Sequence, residues 1–183
     1  MLIIEGSDLV GKTTLIKALC DETIKRGFPM IPQHFGLLPD NWNFFVDYIG
    51  YINSRTVMDR FIMSEVVYGE TLRCGCRIDP GYFRALQSIL NQSHSMTVIV
   101  AAESEFFKEH VRKQYQHRNE VFKEEQICEV NDAFINVLEN GCLNEYTLSY
   151  DIGHIVNSNR DFPSSNLEFV EEIVEIYLKL QGA

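Results

Sequence analysis

The segment Gly6-Ser7-Asp8-Leu9-Val10-Gly11-Lys12-Thr13, followed by Thr14, sets two glycines five positions apart with a lysine and a hydroxyl directly behind the second. This spacing matches G-x-x-x-x-G-K-[ST], a loop whose backbone amides can line an anion because no side chain intervenes at the glycines. Lys12 would supply a point charge to terminal phosphates and Thr13 a hydroxyl to magnesium. A helix starting there would aim its positive dipole end at the same anion. The apolar run Leu2 to Glu5 comes immediately before the loop and an amphipathic stretch immediately after it, the strand-loop-helix setting this chemistry needs. Such a loop implies binding of a nucleoside triphosphate without by itself separating a kinase from a switch GTPase or a motor.

A second set of chemically capable residues is Asp59-Arg60, at the end of the apolar run Thr56 to Asp59. In an open parallel sheet, ligands collect beyond the carboxyl ends of the strands, so this pair would emerge beside the glycine loop. Arg60 could clamp donor and acceptor phosphates. Asp59 could orient Arg60, hold a magnesium-bound water, or accept a proton from an attacking oxygen.

These elements carry a family resemblance. IIEGSDLVGKTTL resembles the opening of thymidylate kinases and related deoxynucleotide kinases, and MDRFIMSEVVYGE, Met58 to Glu70, resembles their second signature. The resemblance implies an ATP- and Mg2+-dependent phosphotransferase in which Asp8 contacts the acceptor sugar and Ser64 and Tyr68 line the acceptor site. RKQYQHRNE, Arg112 to Glu120, resembles the family's lid, placed here at about residues 112–124. Because Leu9 is apolar, the arginine closing over the transferred phosphoryl group would be Arg118 or Arg112. The adenine would lie near Asn157 to Arg160. The chain departs from the family after its second strand, where IPQHFGLLPD holds no arginine for an acceptor phosphate. Arg55, Arg73 and Arg77 are candidate replacements, of which Arg73 and Arg77 could reach the cleft. Phe35, Trp42, Phe44, Phe45 and Tyr48 could stack a base or pack as core.

The elements that must position these residues read as α/β: short apolar runs alternate with helix-compatible stretches along the whole chain. Strands are expected at Leu2–Glu5, Met30–His34, Thr56–Asp59, Thr97–Ala101 and His154–Asn157. Helices are expected at Thr13–Lys25 (closed by Gly27), Asn41–Ile52, Ile62–Leu72, Tyr82–Asn91, Ser104–Gln114, Glu124–Glu139 and Asn166–Leu180. With the resemblance, the fold expected is a P-loop NTPase three-layer sandwich with a five-stranded parallel sheet and a helical lid. The chain has 183 residues, and no repeat, low-complexity tract or linker divides it, so one domain over 1–183 is expected.

Sixteen basic and 26 acidic residues give a formal charge of −10, which disfavours non-specific attraction to nucleic acid or anionic lipid. No run approaches a membrane span and Met1 opens directly on a strand, so a cytoplasmic protein is expected. The five cysteines, Cys20, Cys74, Cys76, Cys128 and Cys142, lack zinc-like spacing and read as reduced thiols. His34, His94, His110, His117 and His154 lack ligand-like spacing and read as structural or exposed.

Three functional readings follow. The first is a deoxynucleoside monophosphate kinase of thymidylate type. The second is a same-fold kinase with another acceptor, a deoxynucleoside or a hydroxymethylated pyrimidine in DNA. The third is a P-loop regulator without turnover. The partners are small-molecule nucleotides, with nucleic acid only as an alternative acceptor; a homodimer stays open.

Overall fold

In the computed structural model, residues 1–36, 38–39, 42–115, 122–140, 147–151 and 164–182 are described. The strands are β1 (Leu2–Glu5), β2 (Ile31–His34), β3 (Thr56–Asp59), β4 (Met96–Ala101) and β5 (Thr147–Asp151). They form a parallel sheet in the order β2-β3-β1-β4-β5. The helices are α1 (Lys12–Lys25), α2 (Phe44–Ile49), α3 (Ile62–Leu72), α4 (Pro80–Gln92), α5 (Ser104–Tyr115), α6 (Glu124–Asn140) and α7 (Ser164–Gln181).

Alternation along the central strands divides the core. Leu2, Ile4, Val57, Val98 and Val100 pack with Leu15, Leu19, Phe107, Ile173 and Tyr177 on one face. Met1, Ile3 and Met58 pack with Tyr48, Phe61, Leu86 and Leu90 on the other. Successive side chains point to opposite faces of a strand, so continuous apolar runs such as LIIE and MTVIVA require helices on both sides. The outer strand β2 is exposed along its length and carries Pro32, which an edge strand tolerates.

Two elements depart from the sequence expectation by more than two residues at a boundary. The expected strand His154–Asn157 lies outside the described residues, and the strand beside β4 is Thr147–Asp151, with Thr97 opposite Thr147 and Ala101 opposite Asp151. The helix expected over Asn41–Ile52 is only Phe44–Ile49. Asn43 stops it on the amino-terminal side by accepting from the Val46 amide, an N-cap that outweighs the apolar periodicity extending past it. Elsewhere Asp79 caps α4 from Gly81 N and Tyr82 N, with Pro80 inside the first turn. Asn131 of α6 is fully buried and braces the end of β4, donating to Ala102 O at 2.9 Å and accepting from Ala102 N at 3.2 Å.

Candidate phosphate-binding loop and acceptor cleft

The glycine loop leaves the carboxyl end of β1 and enters α1. Gly6 has φ 145°, and a Cβ there would stand 2.3 Å from the Val100 carbonyl oxygen, so glycine is required by backbone conformation and by the close approach of β4. Gly11, in the left-handed region at φ 90°, caps α1. Lys12 is buried, and its Nζ donates to Ser7 O at 2.5 Å. Burial, reinforced by the nearby Arg60 guanidinium, lowers its pKa to about 8, against the pull of Asp59, Asp8 and Glu5. Thr13 and Thr14 face solvent at the start of α1.

Asp59 ends β3 and Arg60 follows it, next to this loop in the sheet. Arg60 adopts φ 72°, a left-handed conformation uncommon outside glycine, and its amide donates to Ile4 O at 2.9 Å. That twist sends the guanidinium over the Tyr68 ring, 4.9 Å from its centroid, and into an ion pair with Asp8. The other Asp8 oxygen accepts from the Tyr68 hydroxyl at 3.2 Å. The loop, the end of β3 and α3 are thereby tied together through three predicted site residues. Asp59 divides its carboxylate: Oδ2 meets His34 Nδ1 at 3.0 Å, whereas Oδ1 is buried without a partner among the described residues.

A cleft opens beside Arg60. Phe35, Tyr48, Phe61, Tyr68 and Phe122 supply its aromatic walls, and Glu65, Arg73 and Arg77 its polar end. Phe35 and Tyr48 are also core residues, so aromatic side chains read as either base platform or core serve as wall and core together. Phe45 instead stacks on Tyr82, at a centroid distance of 5.2 Å. Arg73 and Arg77 come back to the cleft because residues Gly75 and Cys76 lie directly on α3: a Cβ on Gly69 would be 2.8 Å from Cys76 Cα. Glu65 then accepts from Arg73 at 2.6 Å and from Arg77 at 2.9 and 3.0 Å. Burial alone would raise the Glu65 pKa, but hydrogen bonds from Arg77 and Arg73 hold it below the usual carboxylate range.

The expected residues are not all gathered here. The Ser64 hydroxyl, though on the cleft wall, donates to Glu5 and is committed inside the protein. Arg112 lies exposed on α5, with Glu124 at 3.3 Å. Arg118 and Arg160 lie outside the described residues. Glu5 was missed by sequence reasoning. This fully buried carboxylate closes β1 and accepts from Phe61 N at 3.0 Å, Met63 N at 3.1 Å and the Ser64 hydroxyl, fastening the start of α3 to the strand that carries the loop. Burial raises its pKa to about 7 against those donors. A charge at the end of a fully apolar strand was the available signal, because a buried charge needs partners. Among the described residues no group of three or more His, Cys, Asp or Glu could hold a metal ion, and no helix is long and apolar enough to cross a membrane.

The parallel sheet, the glycine loop and the helix it enters form an α/β fold shared with solved structures. Solved structures with this fold include the YorR protein from Bacillus subtilis in complex with phosphorylated GDP, 20% identical, TM-score 0.70, over 97% of this chain and 96% of that one. Deoxyadenosine kinase from M. mycoides with bound dATP is 9% identical, TM-score 0.54, over 95% and 98%. Polyphosphate kinase 2 from Arthrobacter aurescens is 12% identical, TM-score 0.58, over 98% of this chain and 66% of that one. No family model and no curated protein matches the sequence.

Proposed function

We propose that this chain is an ATP- and Mg2+-dependent phosphotransferase that phosphorylates a deoxynucleoside-type acceptor, with the thymidylate-type deoxynucleoside monophosphate implied by the sequence resemblance as the first reading. The observation that carries it is the ion pair from Arg60 to Asp8, which joins the phosphate loop to the aromatic cleft and leaves Lys12 close to the same guanidinium. The fold shared with a deoxyadenosine kinase supports the reaction class.

In this mechanism the amides of Gly6 to Thr14 hold the donor phosphates, and Lys12 leaves Ser7 O for the terminal one. Arg60 neutralises charge between donor and acceptor, Asp8 and Tyr68 meet the acceptor sugar, and Phe35 flanks its base. Arg112 or Arg118 closes over the phosphates as the lid shuts, with Arg160 near the adenine. Phosphoryl transfer needs in-line positioning and charge neutralisation rather than a covalent protein nucleophile. Thr13 and Asp59 fit Mg2+: one offers an exposed hydroxyl, the other a buried carboxylate oxygen with no partner among the described residues. When held there, the ion would supply positive charge to offset that of the phosphates.

A deoxynucleoside hydroxyl is the second reading of the acceptor. It is favoured because each arginine lining the cleft already meets a carboxylate, Arg60 at Asp8, and Arg73 and Arg77 at Glu65. A panel of nucleosides, nucleoside monophosphates and hydroxymethylated DNA with γ-labelled ATP tests the proposal. Label should appear on a nucleoside or a monophosphate; transfer to no member refutes the kinase reading.

A further inference from the structure

We infer that His34 is a positioning residue for Asp59, turning its free carboxylate oxygen toward the cation that accompanies the donor triphosphate. The inference rests on the proposed role of Asp59 and extends it to a histidine whose spacing in the sequence reads as structural or exposed.

His34 and Asp59 end neighbouring parallel strands and stand in register. Their backbones are fixed, with Ile31 N donating to Arg55 O and Phe35 N to Asp59 O. The freedom left to Asp59 is rotation of its side chain. A carboxylate only accepts hydrogen bonds, so in the 3.0 Å contact Nδ1 carries the hydrogen and donates to Oδ2. With Oδ2 engaged, Oδ1 stays on the buried side. Two features separate this from packing. His34 is 59% exposed on an edge strand, where a side chain adds little to stability. Its ring also lies against Gly36, a residue of the cleft wall, where a Cβ would be 3.7 Å from Nε2. Hydrogen bonds to a cation-holding carboxylate set its orientation, and their loss commonly weakens metal affinity 10- to 100-fold.

The test is equilibrium binding of ATP, with magnesium and with EDTA, to wild type, His34→Ala and His34→Asn, together with thermal unfolding of each. His34→Ala should bind MgATP on the order of 10-fold or more weakly, with metal-free ATP binding and the unfolding midpoint unchanged. His34→Asn, which can still donate to Oδ2, should recover most of the loss. Equal weakening with and without magnesium, an effect confined to the acceptor, or wild-type binding by His34→Ala would overturn the inference while leaving the proposed function intact. If magnesium does not tighten ATP binding by wild type, the cation role of Asp59 and this inference fall together.

Discussion

Arg60, on the wall of the cleft, pairs with Asp8 in the glycine loop, although 52 positions separate them in sequence. The pair is only 16% and 22% exposed, and the Tyr68 hydroxyl completes the Asp8 carboxylate. A substrate bridging loop and cleft would meet all three groups at once.

Asp8→Ala removes the partner of a largely buried guanidinium. Its cost should be about 1–3 kcal/mol in unfolding free energy, read by urea denaturation. Acceptor KM should rise in the same variant more than ATP affinity falls.

The two loop glycines should respond differently to alanine. At Gly6 the new Cβ would meet Val100 O at 2.3 Å, so strand or loop must move; a loss of about 3 kcal/mol or more is expected. At Gly11 nothing lies within 4 Å of a Cβ, leaving only the strain of φ 90°, about 1–2 kcal/mol. Thermal unfolding of both variants checks the order.

Much of this arrangement was legible beforehand, for identifiable reasons. Strands β1, β3 and β4 announce themselves because burial on both faces forces continuous apolar runs. The loop is legible because anion binding fixes glycine spacing. Long-range polar pairing was not. Nothing local says that Glu65 gathers Arg73 and Arg77, that Ser64 turns inward to Glu5, or that Asn131 braces Ala102. Those contacts depend on where a helix end or a turn lands against another element. The missing arginine after β2 is visible in the sequence, whereas the charge pairing in the cleft depends on the fold that brings Glu65, Arg73 and Arg77 together.

Glu5 makes stability depend on pH. Its pKa rises from 4.5 in the unfolded chain to about 7 when buried, so the native state holds the proton more tightly. The resulting stabilisation is full below about pH 4.5 and is lost as pH climbs through 7, a change of up to roughly 3 kcal/mol. Glu5→Gln should flatten this part of the stability profile in denaturation series between about pH 5 and 8; an unchanged slope would assign it elsewhere.

On the proposed function, Lys12 should link triphosphate binding to protons. With a pKa near 8 in the free protein, it is largely neutral at about pH 9, and an anion would restore its charge. Calorimetry in buffers of different ionisation enthalpy should detect uptake approaching one proton per ATP at about pH 9, shrinking toward pH 7. Lys12→Met should abolish the uptake.

The most direct test of the whole account is a crystal structure with a non-hydrolysable ATP analogue. The account predicts the β- and γ-phosphates on the amides between Gly6 and Thr14, with Lys12 Nζ moved from Ser7 O onto a phosphate oxygen and Arg60 facing the γ-phosphate. A triphosphate bound away from this loop, with Lys12 still on Ser7 O, would contradict it.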